Sequence, residues 1–135
     1  MSKTISEIEG IGPAFAAKLE QAGIKSVEKL LEMGGQKTGR KEIADKSGVA
    51  ENVILNWVNM ADLFRIKGIA GQFAELLKAP GVDTVKELAQ RNAENLHKAL
   101  TETNNEKNLT KVVPSAEKIG EFIDQAKNME QAVFH

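Results

Sequence analysis

The sequence of 135 residues predicts an all-α fold, and three observations carry that prediction. Apolar residues follow helical spacing in successive segments, as in Phe15, Leu19 and Ala22. Almost no segment alternates apolar and polar residues with period two, so no sheet is expected. The chain also contains an internal repeat. We therefore expect a compact domain of eight to ten short helices, built from two related halves.

The repeat aligns residues 8–30 with residues 66–88 at an offset of 58, without a gap and with nine identities in 23 positions. A further match relates residues 54–61 to residues 119–126 at an offset of 65. The second half therefore carries about seven extra residues (65 − 58), which we place in the polar stretch 101–108. We expect the halves to pack about a pseudo-twofold axis. The predicted boundaries are 1–63, 64–129 and a flexible tail at 130–135, with both halves packed as one domain.

Local signals position the helices within each half. Pro13 suits the first position of a helix, because its missing N–H would be unpaired there. Gly23 suits a left-handed cap, and Ser26 can cap the next helix. Thr84 opens a capping-box pattern in the second half. The remaining predictions are a helix end at Gly34–Gly35, a start near Thr38 or Gly39, a turn at Ser47–Gly48, a helix over Glu51–Leu63, a cap at Asn92 and a last helix opened by Pro114–Ser115.

Composition narrows the classes of function. Without cysteine, the chain has no disulfide and no thiolate site. No apolar run is long enough to span a membrane, and Glu7 lies where a signal peptide would be apolar. Lys and Arg number 18 against 19 Asp and Glu, whereas a protein that coats nucleic acid is normally basic. We expect a cytoplasmic protein with no membrane partner, no small-molecule substrate and no cofactor.

The segment 8–16 is the first candidate site. Gly10 and Gly12 flank Ile11, which predicts a tight turn with Ile11 directed into the core. Such a turn leaves the amides at the start of the following helix pointing outward. Those amides, together with the helix dipole, favour a phosphate.

This segment resembles the helix-hairpin-helix motif, in which hairpin amides grip a DNA backbone phosphate without reading sequence, often with the help of a bound monovalent cation. The second copy resembles the motif less closely, because Ala70 replaces the second glycine and Gly71 follows one position late. Charge favours the second copy, since Arg65 and Lys67 precede its turn whereas Glu9 lies beside the first. The resemblance implies these nucleic-acid-binding positions: Gly10, Gly12, Ala14 and Lys18 in the first copy, and Gly68, Ala70 and Gln72 in the second. Their positive charge adds Arg65 and Lys67 to the positions predicted in the second copy.

Nearly the whole chain is similar to a bacterial family of small tandem helix-hairpin-helix proteins that is classified only as a domain of unknown function. The stretches that carry this similarity are residues 8–32, 38–69 and 81–100. The resemblance implies an all-α architecture of two helix-hairpin-helix halves. It implies no particular activity.

Residues 40–57 also resemble the helix-turn-helix of lactose-repressor-type regulators. The outer face of the second helix would be Glu51, Asn52, Leu55, Asn56 and Asn59, and the asparagines could contact bases. No Arg or Lys occurs from residue 51 to residue 64, although phosphate contacts supply most DNA affinity. We therefore interpret this segment as a helix pair packed within the bundle.

Catalysis and metal binding have little support in the sequence. Glu94 and His97 have a spacing used in di-iron bundles, but His135 is the only other histidine, so we interpret them as a solvated pair. No nucleophile triad or phosphate-loop lysine is visible, and we predict neither catalytic residues nor a metal site. Trp57 and Phe122 occupy equivalent repeat positions, as do Phe15 and Phe73, which indicates core packing.

Two functions follow from these observations. The first is a non-enzymatic module that binds DNA backbone weakly and without sequence preference. The alternative is a protein–protein adaptor that uses exposed apolar positions such as Leu55, Val133 or Phe134. A basic cluster on one face would favour the first function, and interleaved acidic residues the second.

Overall fold

A computed structural model describes residues 3–69 and 71–134, and it confirms the all-α prediction. Those residues form eight α-helices and one short 3₁₀ helix, and they contain no strand beyond an isolated bridge between Thr4 and Ser26. After the 3₁₀ helix Ile5–Glu7, the helices are α1 (Pro13–Gln21), α2 (Val27–Gly34), α3 (Lys37–Ser47), α4 (Glu51–Leu63), α5 (Gly71–Lys78), α6 (Val85–Ala89), α7 (Ala93–Lys107) and α8 (Ala116–Lys127).

The chain divides into two compact units. Unit 1 contains residues 3–62 and 132–134, and unit 2 contains residues 63–69 and 71–131. In unit 1, α3 packs against α1 and α2, and the 3₁₀ helix packs against α1 and α2. The side chains that this packing removes from water are aliphatic, which is the main source of stability for such a small core. They are Ile5, Ile8, Leu19, Ile24, Leu30, Ile43 and Ile54.

The start and stop signals of α1 and the start of α2 lie where the sequence predicts them. Pro13 is the first residue of α1, after an extended N-cap at Gly12. Gly23 follows α1 with φ 86°, and the next amide, of Ile24, donates to the carbonyl of Leu19 at 2.9 Å. The Ser26 hydroxyl accepts from the Lys29 amide at 3.0 Å and so caps α2.

Helix α3 begins earlier than the sequence predicts. Its N-cap is Gln36, so the predicted start residues, Thr38 and Gly39, lie within the first turn. Gly39 is needed there for packing, since a Cβ atom at this position would collide with the main-chain carbonyl of Met33. The helix ends at Gly48, which has φ 76° and donates its amide to the carbonyl of Ala44 at 2.9 Å.

Unit 2 repeats the local contacts of unit 1. Gly81 has φ 90° after α5, and the Val82 amide donates to the carbonyl of Leu77 at 2.9 Å. The Thr84 hydroxyl accepts from the Glu87 amide at 3.3 Å and caps α6. Helix α8 packs against α6 and α7, and α5 packs against α7. The correspondence at an offset of 58 therefore holds for the local contacts. The pseudo-twofold relation stays a prediction.

The polar stretch 101–108, in which the sequence places the extra residues of the second half, is helical as far as Lys107. Helix α7 is 15 residues long, whereas its counterpart α3 has 11. It ends at Asn108, a left-handed residue with φ 52°. The side-chain amide of Asn104 then holds Thr110 through two hydrogen bonds of 2.9 and 3.0 Å to its main chain. These bonds fix the turn that leads towards α8.

Residues 132–134, in the segment that the sequence predicts to be a flexible tail, contact the end of α2 in unit 1. Val133 is buried, and the amide of Phe134 donates to the carbonyl of Gly35 at 2.8 Å. The carbonyl of Phe134 accepts from Arg40 at 2.7 Å. Within the described part of the chain, no helix combines the length and the hydropathy that a membrane crossing requires.

Candidate functional site

The first hairpin turns between the 3₁₀ helix and α1. Gly10 has φ 93°, a conformation that side chains disfavour. Ile11 is buried, and its amide donates to the carbonyl of Ile8 at 3.1 Å. Gly12 is extended, with φ −87° and ψ −175°, and it directs the chain into α1. The turn therefore has the shape that the two glycines predict.

Four main-chain donors are open at this hairpin. The amides of Gly10, Gly12, Ala14 and Phe15 have no acceptor among residues 3–69 and 71–134. All four residues are exposed. The first amide of α1 with a partner is that of Ala16, which donates to the carbonyl of Gly12 at 2.9 Å. These donors lie at the positive end of the α1 dipole, which is the setting that favours an oxyanion.

Two side chains beside this hairpin complete the site. The indole Nε1 of Trp57 lies 3.6 Å from the position that a Cβ of Gly10 would occupy. The Trp57 ring meets the Phe15 ring edge-on, with centroids 5.1 Å apart. Lys18 is exposed, and its Nζ lies 5.6 Å from the centroid of the Phe15 ring. The sequence interpretation treated Trp57 only as core and missed its polar edge. The sequence did contain a signal for this difference, because the equivalent residue of the second half, Phe122, has no N–H group.

The second hairpin has the same bend, but more of its main-chain groups are hydrogen-bonded. Gly68 has φ 101°, and the Ile69 amide donates to the carbonyl of Ile66 at 3.2 Å. The Lys67 amide donates to Oε1 of Gln125 at 2.9 Å, and Nε2 of Gln125 donates to the carbonyl of Lys67 at 3.2 Å. One predicted position, Ala70, lies outside the described residues.

The charged residues predicted at the second hairpin differ in their availability. Arg65 donates from Nη2 to the main-chain carbonyl of Glu130 at 2.8 Å, so its guanidinium is engaged. Lys67 and Gln72 are exposed. At the second hairpin, Lys67 is exposed but its main chain is hydrogen-bonded to Gln125. At the first hairpin, the amides are open and Lys18 is exposed.

The helix-turn-helix segment is formed by α3, Gly48 and α4. Glu51, Asn52 and Asn56 are exposed, but Asn59 is buried and does not belong to the outer face that the sequence predicts. Leu55 is half-buried. With Lys37, Arg40, Glu51 and Asn52, it lines an open cavity of about 250 Å³. This face pairs one apolar side chain with charges of both signs.

Arg40 is a structural residue of this segment. It is buried and donates to the carbonyls of Gly34 at 2.9 Å and Gly35 at 3.0 Å, in addition to Phe134. Burial lowers the pKa of Arg40, and the nearby carboxylate of Glu51 opposes that shift. Arg40 is thus committed to main-chain oxygens of unit 1. A ligand phosphate would have to compete with those oxygens for it.

The other polar clusters of the described residues are small. Glu42 and Lys46 form an exposed ion pair at 3.0 Å on α3, so acidic and basic residues interleave on that helix. No group of three or more His, Cys, Asp or Glu side chains within residues 3–69 and 71–134 is arranged to hold a metal ion. His97 is half-buried on α7, where its carbonyl accepts from Thr101 at 2.8 Å.

Comparison with known proteins gives one relationship. No curated protein and no solved structure matches this chain significantly. A family model described as a domain of unknown function, DUF4332, matches residues 9–129. That range includes both hairpins and all eight α-helices. The chain therefore belongs to the DUF4332 family.

Proposed function

We propose that this protein is a non-enzymatic module that binds the phosphates of duplex DNA, weakly and without sequence preference, through its first hairpin. The observation that carries the proposal is the set of four exposed amides without acceptors at Gly10, Gly12, Ala14 and Phe15. The proposal includes the finer assignment that each unit is built on a helix-hairpin-helix, in a tandem arrangement of bacterial, cytoplasmic type.

Phosphate is the ligand that such a donor set favours. Main-chain amides at a helix N-terminus match the geometry of phosphate oxygens and add the positive end of the helix dipole. Lys18 supplies one positive charge one turn further along α1. None of these groups can distinguish one base from another, because phosphate contacts carry no direct sequence information. The expected binding is therefore sequence-independent, and one cation makes it weak.

The first hairpin is a better candidate than the second, although charge alone favours the second. At the second hairpin, the Lys67 amide already donates to Gln125 and the Arg65 guanidinium already donates to Glu130. A phosphate there would have to displace these partners. At the first hairpin, the donors have only solvent to exchange for the ligand.

A protein–protein adaptor is the second candidate function, and two observations favour it. Val112, in the segment between α7 and α8, is 75% exposed, and Phe134 is 39% exposed. Arg40 and Arg65, two basic residues near the candidate sites, donate to main-chain carbonyls and are not available to form a basic face. Leu55 and Val133 contribute less to such a surface, since Leu55 is half-buried and Val133 is buried.

Charge placed in the first hairpin tests the proposal. Ala14→Glu introduces a carboxylate beside the open amides, where it repels phosphate but suits the helix dipole, so the fold should persist. Gln72→Glu is the matched control, because Gln72 is the equivalent residue of the second hairpin (72 − 58 = 14). We expect wild-type protein to bind a duplex DNA oligonucleotide at low salt, and Ala14→Glu to weaken binding at least tenfold more than Gln72→Glu, roughly the cost of opposing a charged hydrogen bond.

The salt dependence gives an independent measurement. Binding should weaken as salt rises, and Lys18→Gln should lower the slope of log K against log salt by about one. Absence of binding at low salt retires the DNA proposal and leaves the adaptor. Equal effects of Ala14→Glu and Gln72→Glu would show that the first hairpin is not the site.

A further inference from the structure

Trp57 presents an unused hydrogen-bond donor at the first hairpin. The residue is 5% exposed, yet its indole N–H has no acceptor in the described part of the chain. Among the described residues, Oδ1 of Asn59 is the side-chain polar atom that is both fully enclosed and without a hydrogen-bond partner. Nε1 of Trp57 also lacks a partner but is not fully enclosed, so it still touches solvent. A tryptophan that is almost wholly buried normally pairs its N–H within the protein. Here the donor opens to the surface.

The position of the indole ties that donor to the hairpin amides. Nε1 lies 3.6 Å from the Cβ position of Gly10, and the ring packs edge-on against Phe15. Gly10 and Phe15 are the first and last residues of the open donor set. The ring therefore lies along the same turn, and Gly10 has no side chain that could cover the indole edge.

The comparison between the two copies points the same way. Phe122, the counterpart of Trp57, packs against Gly68 and against Phe73 at 5.7 Å between centroids, so the aromatic packing recurs without an N–H. Packing alone is thus satisfied by phenylalanine. Trp57, which has an N–H donor, lies at the first hairpin, where the amides are open. Phe122, which has none, lies at the second hairpin, where Gln125 is hydrogen-bonded to the backbone.

We propose that the Trp57 indole N–H and the amides of the first hairpin form a single oxyanion site, in which Trp57 donates to a phosphate oxygen. This inference rests on the proposed function for the source of the phosphate, a DNA phosphodiester. The same chemistry would accept free inorganic phosphate. Trp57 and the amides are neutral donors, so Trp57 adds a hydrogen bond to the oxyanion without adding charge to the site.

The tryptophan itself reports on the site, because the chain contains one tryptophan and no tyrosine. Its indole N–H gives a single proton resonance in the wild-type protein. Titration with inorganic phosphate should move that resonance downfield and saturate, and Ala14→Glu should abolish the movement. A resonance that does not respond to phosphate or to DNA overturns the inference.

The variant Trp57→Phe tests the contribution to affinity. It keeps an aromatic ring at this position, as Phe122 does in the second copy, and it removes the indole N–H together with part of the ring. We expect about five- to tenfold weaker binding of a duplex DNA oligonucleotide, the loss of one hydrogen bond to a charged acceptor. Thermal unfolding checks that the variant is folded. The titration of the indole resonance uses the wild-type protein and so does not depend on the stability of the variant.

The outcomes separate the inference from the proposed function. If Trp57→Phe binds DNA as tightly as wild type and the indole resonance is unmoved, the inference fails while DNA binding stands. If wild type binds no DNA but phosphate moves the resonance, the proposed function fails, and the site is assigned to free phosphate. A response to both ligands supports both.

Discussion

The side-chain amide of Gln125 closes a ring of two hydrogen bonds with the main chain of Lys67, accepting at 2.9 Å and donating at 3.2 Å. In the first half, Met60 occupies the equivalent position (125 − 65 = 60) and cannot form such a ring. The two hairpins share their bends and their aromatic packing. They differ in that α8 supplies a side chain, Gln125, that is hydrogen-bonded to the backbone of the second hairpin, whereas the equivalent residue of α4, Met60, forms no such bond with the first.

Replacing Gln125 with methionine should loosen the second hairpin. Gln125→Met removes both hydrogen bonds, and because the site is part-exposed, water replaces them, so the expected loss is about 1 kcal/mol of unfolding free energy. The Lys67 amide should exchange its proton faster. Denaturant unfolding and amide hydrogen exchange measure the two effects. Gln21→Met, at an exposed site of α1, is the control and should change neither. Unchanged hydrogen exchange at the Lys67 amide would contradict a stabilising role for the two hydrogen bonds of Gln125.

The hairpin glycines should differ in their tolerance of alanine. Gly10 and Gly68 both have positive φ, which costs alanine roughly 1–2 kcal/mol at either position. A Cβ at Gly68 would also lie 2.9 Å from Cε1 of Phe122, whereas at Gly10 the nearest atom is 3.6 Å away. Gly68→Ala should therefore destabilise the protein more than Gly10→Ala, as measured by chemical unfolding.

A second substitution separates the contact from the backbone strain. Phe122→Leu should recover part of the stability that Gly68→Ala loses, and it should recover nothing in a Gly10→Ala background. The coupling energy of the double-mutant cycle measures the difference. Equal losses for the two alanine variants, with no coupling to Phe122, would show that strain alone decides.

Arg40 should act as the anchor of residues 132–134. Arg40→Met removes charge-assisted hydrogen bonds to three carbonyls, those of Gly34, Gly35 and Phe134, although the Gly35 carbonyl keeps the Phe134 amide as a donor. We expect a loss of about 3 kcal/mol, the order expected when hydrogen bonds from a charged donor are removed. Limited proteolysis should then cut the C-terminal segment faster. Lys41→Met, at the exposed neighbouring residue, should leave both measurements unchanged.

Local signals in the sequence predicted the helices well, because each depends on residues within one turn. Ser26 and Gly23 act on neighbours in the chain, so their roles are legible without the fold. The candidate site was less predictable, because its state depends on distant partners. Arg65 looked available for a phosphate, but its acceptor at Glu130 is 65 residues away. No local pattern shows where the indole edge of Trp57 points.

Gly39 and Gly120 should respond in opposite directions to the same substitution. Both lie inside helices, where alanine is normally more stable than glycine by about 0.5–1 kcal/mol. A Cβ at Gly120 would meet only the Cβ of Ala93, at 3.8 Å, an ordinary contact. A Cβ at Gly39 would collide with the Met33 carbonyl, which belongs to the main chain and cannot rotate away.

Gly120→Ala should therefore raise the unfolding free energy by the usual amount, about 0.5–1 kcal/mol. Gly39→Ala should lower it by about 2 kcal/mol or more, because α3 must move away from the end of α2 to admit the methyl group. Thermal and chemical unfolding of the two variants give the signs directly. Stabilisation by Gly39→Ala would mean that α2 and α3 do not approach as closely as the structure places them, and that Gly39 serves the helix start that its sequence context first indicates.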